Sequence, residues 1–279
     1  MNKFLPDQSI PPYKIIGNNY AENHDNKIHS DEVAAQFGFR GGLVPGVGVY
    51  AYLTHPVAEM LGEKWLHQGA MTAKFLKPIY HGEEVTVKGK VASVAPLCIG
   101  LELFDAGGIL CAVGEASLPI NLPELNIENY PLQNLPVGAD RPVASNVNLP
   151  VGKMLGSLSW EMNLAEIESK FLTDVGAKLP IFFGDQAVCH PAYYLAQANE
   201  ILMATVKLGH WIHTGSKVQH YSLPKDGERL SMRGKVLESS ERRGHEIVVL
   251  DLGNFRRRWA TSCADQAFGD CAVSERNVA

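Results

Sequence analysis

The chain has 279 residues, 46% of them hydrophobic and 20% charged, with a formal net charge of −5. That length accommodates two domains of ordinary size, and the composition is that of a globular chain rather than a disordered one. The acidic balance argues against broad binding to nucleic acid or anionic membranes, which call for a basic face, and no apolar run approaches a membrane span.

The segment MNKFLPDQSIPPYK is broken by an aspartate and three prolines and does not read as a secretory signal. Residues 26–31 (NKIHSD) predict a tight polar turn running into a short helix, with Ser30 and Asp31 as an N-cap sequence. Over 44–61 the sequence VPGVGVYAYLTHPVAEML is apolar nearly all round, the mark of a buried helix. Pro45 suits its first turn, whereas Pro56 predicts a kink or a break. Strands are expected over 68–76, over 84–94 where V-T-V-K-G-K-V alternates, and over 99–104 and 109–118, joined by a hairpin turn at 105–108. Residues 121–150 hold five prolines and few apolar clusters, and read as a linker. Beyond them come a helix over 191–208 and strands over 216–222, 229–238, 246–252 and 259–268. Cys98, Cys111, Cys189, Cys263 and Cys271 form no C-x-x-C pair, so reduced structural thiols in a cytoplasmic protein are the expectation.

The chain repeats itself. GEEVTVKGKV at 82–91 returns as GERLSMRGKV at 227–236, an offset of 145 residues. At the same offset Pro45-Gly46 falls on His190-Pro191, each pair opening a long apolar segment; with one residue added, DAGG at 105–108 falls on DLGN at 251–254. Such similarity at half the chain length means two copies of one domain, with boundaries expected at 1–120, a Pro-rich linker at 121–150, and 151–279. A long helix followed by an antiparallel meander is α+β. A sheet wrapped round a buried helix is the hotdog fold, so the expectation is a double hotdog. Its two sheets should pair edge to edge, which covers strand edges otherwise left open.

Asn26, Ile28 and His29, followed by AAQFGF at 34–39 and GGLVPG at 41–46, carry a resemblance. The pattern resembles the hydratase motif of the MaoC-like, (R)-specific enoyl-CoA hydratases: D-x-N-P-(I/L)-H, then A-x-x-x-G-F, then H-G at a helix start. The family's catalytic aspartate, five residues before the histidine, corresponds to His24, and the H-G histidine to Pro45. The resemblance implies the hotdog fold and a hydro-lyase acting on an acyl thioester of coenzyme A or acyl carrier protein. It implies no cofactor beyond the coenzyme A of the substrate, no metal, and no nucleic-acid or membrane partner. A homodimer of double-hotdog chains is compatible with it.

By that resemblance His29 is the general base or acid toward water, a task suited to a pKa near operating pH; the alternative is that it orders the helix at Ser30-Asp31. His24 is a catalytic candidate by its place but cannot act as a permanent anion; Asp25, one residue on, could swing in as the carboxylate, and Glu22 lies two residues before. Asp31 and Glu32 fit an ordinary helix N-terminus. Asn26 is a substrate-binding candidate, as are Gly41, Gly42 and Gly46, whose backbone N–H groups near a helix start suit a thioester carbonyl. In the second copy His190 holds the H-G position, with Cys189 beside it, and is a substrate-binding candidate whose alternative is a satisfied, partly buried histidine; Ser169 and Asp174 stand where His24 and His29 would map. Adjacent residues on one helix point apart, so Cys189 and His190 make no nucleophile pair. In the run 256–258, Arg256 and Arg258 are candidates for the phosphates of coenzyme A.

Two other classes stay open beside the hydratase. A thioesterase needs a carboxylate near a buried helix, for which Glu59, Glu200 and Asp185 qualify. A degenerate hotdog binds an acyl group or a partner without turnover, and His24 in place of the aspartate speaks for it.

Overall fold

The computed structural model describes residues 4–256 and the backbone of the strand at 269–278. The first half contains β1 (Ser9–Ile16), a 3-10 turn (Lys27–His29), α1 (Asp31–Gln36) and the long helix α2 (Gly46–Gln68). It is completed by β2 (Ala70–Phe75), β3 (Glu84–Val94), β4 (Leu97–Phe104) and β5 (Leu110–Leu118). The second half contains β6 (Leu158–Glu161), then α3 (Leu164–Glu166), which runs into a π-helical turn (Ile167–Leu172), and then α4 (Pro191–Thr205). Four strands follow: β7 (Ile212–His220), β8 (Arg229–Arg242), β9 (His245–Arg256) and β10 (Gly269–Val278).

These strands form one antiparallel sheet in the order β1-β3-β4-β5-β2-β7-β10-β9-β8-β6. Matching β1 to β6, β2 to β7, β3 to β8, β4 to β9 and β5 to β10, the order reads the same from either end. The seam is β2 against β7, with Met71 opposite Val218 and Ala73 opposite Ser216. It joins the two edges that separate halves would leave open. The sheet wraps α2 and α4, which pack on each other inside it. This is the double hotdog that the repeat predicts.

The repeated block has a structural cause in each of its residues. Gly82 and Gly227 take left-handed φ of +79° and +74° at the turn entering β3 and β8. Glu83 and Glu228 each close that turn, accepting the N–H of the residue three before, from Tyr80 at 3.1 Å and from Lys225 at 2.9 Å. Along β3, Val85, Val87 and Val91 are buried, and Gly89 interrupts them because a Cβ there would run into Ile10. Gly234 likewise lies against the backbone of Asp251.

The structure departs from the sequence reading in several places. Helix α2 continues through Pro56, because Val57 and Ala58 just beyond it are buried in the core and hold the backbone in place. The break falls at Gly62 instead, at φ +58°, a conformation glycine adopts at little cost. Strand β1 carries Pro11 and Pro12 and was not expected. It is an edge strand, and its register slips between Ile10 and Tyr13, which takes both prolines out of the ladder. Strand β6, at the other edge, is only four residues long and leaves little pattern to read. The strand expected over 259–268 lies outside the described residues. The segment 121–150 holds two 3-10 turns, and it lies on the second half: Tyr130 donates to Asp251 at 2.9 Å, and Leu149 is buried. Among the described residues no helix is long and apolar enough to cross a membrane.

Candidate active site

A cavity of about 430 Å³ opens between the two halves. Its floor is the first turn of α2, where Pro45, Gly46 and Val47 line it; its walls are the segment 20–29, residues 75–79 after β2, the start of β7, and α4. From α4 come Ala196, Asn199, Glu200 and Met203, spaced so as to share one helical face. Most of the lining is apolar, including Ile28, Phe75, Ile79, Phe171 and Trp211, with a few polar groups converging on it. That is the usual make-up of a small-molecule site.

His29 lines this cavity, and its environment fixes its chemistry. Ile28 is buried beside it and anchors the 3-10 turn. His29 Nδ1 lies 2.8 Å from the carbonyl oxygen of Leu43. A carbonyl only accepts, so Nδ1 carries the proton and Nε2 keeps its lone pair. Burial pushes the imidazole pKa down, reinforced by nearby His24 and opposed by the Leu43 carbonyl. The ring is thus neutral, with its basic nitrogen available. Asn19 Nδ2 donates to the His29 carbonyl at 2.7 Å and fixes the backbone.

Asn26 stands next to it, its Nδ2 at 3.5 Å from His29 Nε2. The amide clamps the backbone of Trp211 from both sides: Nδ2 donates to the Trp211 carbonyl at 2.8 Å, and Oδ1 accepts the Trp211 N–H at 3.3 Å. The motif asparagine therefore ties the His29 turn to the start of β7 in the other half.

The glycines divide into two groups. Gly46 lines the cavity, and a Cβ on it would press on the His213 ring at 2.8–2.9 Å. N–H groups in a first helical turn have no intrahelical acceptor, so the start of α2 is a set of donors at the cavity floor. Gly41 and Gly42 do not line the cavity. Gly42 is packed on the His29 carbonyl, where no Cβ fits, and its N–H donates to Asp31 Oδ1 at 2.7 Å. Asp31 thus serves structure, as its helix position implies.

Other expected residues fall elsewhere. His24 lines the cavity at its exposed rim, but Asp25 is exposed and outside the lining. His190 is buried away from the cavity and caps its own helix, accepting the Ala192 N–H on Nδ1 at 3.1 Å; burial drops its pKa to about 3. Phe182 and Phe171 pack on its ring. Arg256 is engaged by Glu228 at 2.8 Å and by the Leu223 carbonyl at 2.6 Å, outside the lining. It repeats the pairing of Arg40 with Glu83 in the first half. Arg258 lies outside the described residues, and Glu59 and Asp185 are not in the cavity lining.

Two carboxylates from the second half do line it, Asp174 and Glu200. Burial raises the pKa of each, and His24 opposes the rise; for Glu200, Asp25 adds to it. His213 and Tyr20 also contribute. His213 shares its Nε2 with Ser216 Oγ at 2.7 Å, and burial drops its pKa to about 4. The cavity role of Asp174 had one sequence signal, its place on His29 at the repeat offset. Tyr20, Asn199 and His213 had none, since no local pattern marks them.

No protein-family model matches the sequence, nor does any curated protein sequence. Solved structures do match in fold. A protein described as a MaoC domain dehydratase from Chloroflexus aurantiacus J-10-fl superposes with a TM-score of 0.63 at 11% identity, covering 99% of this chain and 95% of that one. A conserved hypothetical protein of Mycobacterium tuberculosis, described as a double hotdog, gives 0.61 at 15% identity over 98% and 97%. A protein described as an oleoyl thioesterase from Lactobacillus plantarum gives 0.52 at 11% identity over 98% and 96%. At such identities the likeness is one of fold.

Proposed function

We propose that the protein binds an acyl thioester, on coenzyme A or acyl carrier protein, in the His29 cavity and adds or removes water across its α,β double bond. The observation that carries this reading is His29: neutral, with Nδ1–H held by Leu43 and the Nε2 lone pair beside Asn26 Nδ2, in an apolar cavity floored by the start of α2. In the hydration direction Nε2 takes a proton from a water whose oxygen bonds to the β-carbon. The electron pair moves toward the thioester carbonyl oxygen, where the first-turn N–H groups of α2 stabilise the charge. The α-carbon then takes a proton. The apolar walls hold the acyl chain. The MaoC dehydratase among the fold neighbours supports the same class.

A second reading is hydrolysis of the thioester, favoured by Asp174 and Glu200 in the lining and by the thioesterase among the fold neighbours. Incubation with crotonyl-CoA and with saturated butyryl-CoA separates the two. Loss of enoyl absorbance without thiol release is expected, and His29→Ala should lower that rate by about 10²–10⁴. Thiol release from butyryl-CoA supports hydrolysis instead, and no turnover of either rejects both.

A further inference from the structure

Hydration needs a proton on the α-carbon as well as a base for the water, and His29, once it has taken the water's proton, is occupied. We propose that Asp174 is the proton donor, supplied by the second half of the chain to the site built around His29 in the first. This rests on the hydration reading above.

Among the cavity-lining residues the titratable groups are Tyr20, His24, His29, Lys77, Asp174, Glu200 and His213. Tyr20 is a poor acid, since burial pushes its phenol far up, with Tyr52 and Asp174 adding to the effect. His213 is a neutral ring bonded to Ser216. Lys77 and Glu200 are exposed, whereas Asp174 is half-buried. Its backbone is pinned across the two halves. The Asp174 carbonyl accepts from Asn18 Nδ2 at 2.9 Å, and Gly176, at φ +64°, is packed close to Ile15. A fixed backbone keeps the Asp174 carboxyl within reach of the cavity, as a proton donor must be.

The titratable groups that act on it are His24, on the loop before the 3-10 turn, and Tyr20. Burial favours the protonated carboxyl, and His24 opposes it. The step balances as follows. Water gives a proton to His29 Nε2 and its oxygen to the β-carbon; the π electrons form the new α-carbon–hydrogen bond with the Asp174 proton. Imidazolium and carboxylate remain, and proton exchange with solvent at the open mouth restores both.

The test is crotonyl-CoA hydration by the full chain with Asp174→Asn and Asp174→Glu. Asp174→Asn should lose about 10²–10⁴ in kcat, and Asp174→Glu should recover part of it. Wild-type kcat should decline as pH rises through the donor's ionisation, and Asp174→Asn should lack that decline. If Asp174→Asn keeps wild-type kcat while His29→Ala loses it, this proposal is overturned and the His29 reading stands. If wild type does not hydrate crotonyl-CoA, both fall. Should Asp174→Asn fail to fold, a wild-type kcat that does not decline with rising pH overturns the proposal.

Discussion

Replacing Asn26 by alanine tests how the two halves are held together at the site. The amide makes two hydrogen bonds to the Trp211 backbone, at 2.8 and 3.3 Å. Asn26 and Trp211 are each 7% exposed, so truncation leaves a buried N–H and a buried carbonyl without partners. Each such orphan costs about 1–3 kcal/mol. Asn26 borders the cavity, so water reaching the vacated space offsets part of the loss, and about 2–4 kcal/mol is expected. For a chain of this size that is a fall in Tm of roughly 4–16 °C. Asn26→Asp adds a sign. Its carboxylate still accepts the Trp211 N–H but opposes the Trp211 carbonyl oxygen. That environment raises the introduced acid's pKa above its unfolded value. The deficit is therefore largest at alkaline pH and shrinks as pH falls and the acid protonates into a donor. Differential scanning calorimetry across pH reads both effects. A Tm within about 2 °C of wild type for Asn26→Ala would refute the clamp.

Three other outcomes follow from the packing. Gly42→Ala places a methyl group against the His29 carbonyl and 2.8 Å from Asn19 Nδ2; overpacking of about 1–3 kcal/mol and a fall in kcat are expected, while Gly41→Ala, facing Asp31 Oδ1 at 3.0 Å and the Tyr80 ring at 3.8 Å, should be milder. Equal effects in enzyme assay and melting would contradict this. The pKa values of His190, His213 and His220 are depressed by burial to about 3, 4 and 4. The unfolded chain binds protons below its ordinary histidine pKa of about 6.5, and the folded chain refuses them. Stability is thus fully present above about pH 6.5 and falls between there and about pH 4, by roughly 1.4 kcal/mol per pH unit for each histidine. Urea midpoints that match at pH 7 and pH 5 would rule this out. Arg256→Ala should leave the KM for acyl-CoA unchanged, because its guanidinium is already held by Glu228 and Leu223 outside the cavity. A several-fold rise in KM would return Arg256 to phosphate binding.

Much of the fold is legible in the chain because its causes are local. Alternation over 84–94, the helix apolar on all sides after Pro45, and the Gly-Glu turns at 82–83 and 227–228 act over a few residues, and the 145-residue repeat reports them twice. The turn at Asn26–His29 was legible in its own residues, whereas the catalytic part proposed for His29 came only through resemblance to a family motif. Sequence by itself determined two copies of a helix-and-meander unit and marked His29 within one of them. Tertiary structure decided the rest. Leu43, far from His29 along the chain, selects the tautomer. Trp211 takes up Asn26. Gly42 proves to be packing, whereas Gly46 borders the cavity. Asp174 and Glu200 reach the first half's site from the second. The physical reason is that protonation, burial and hydrogen-bond partnership depend on which distant segments fold against a group, and a two- or four-residue periodicity carries no information about those segments.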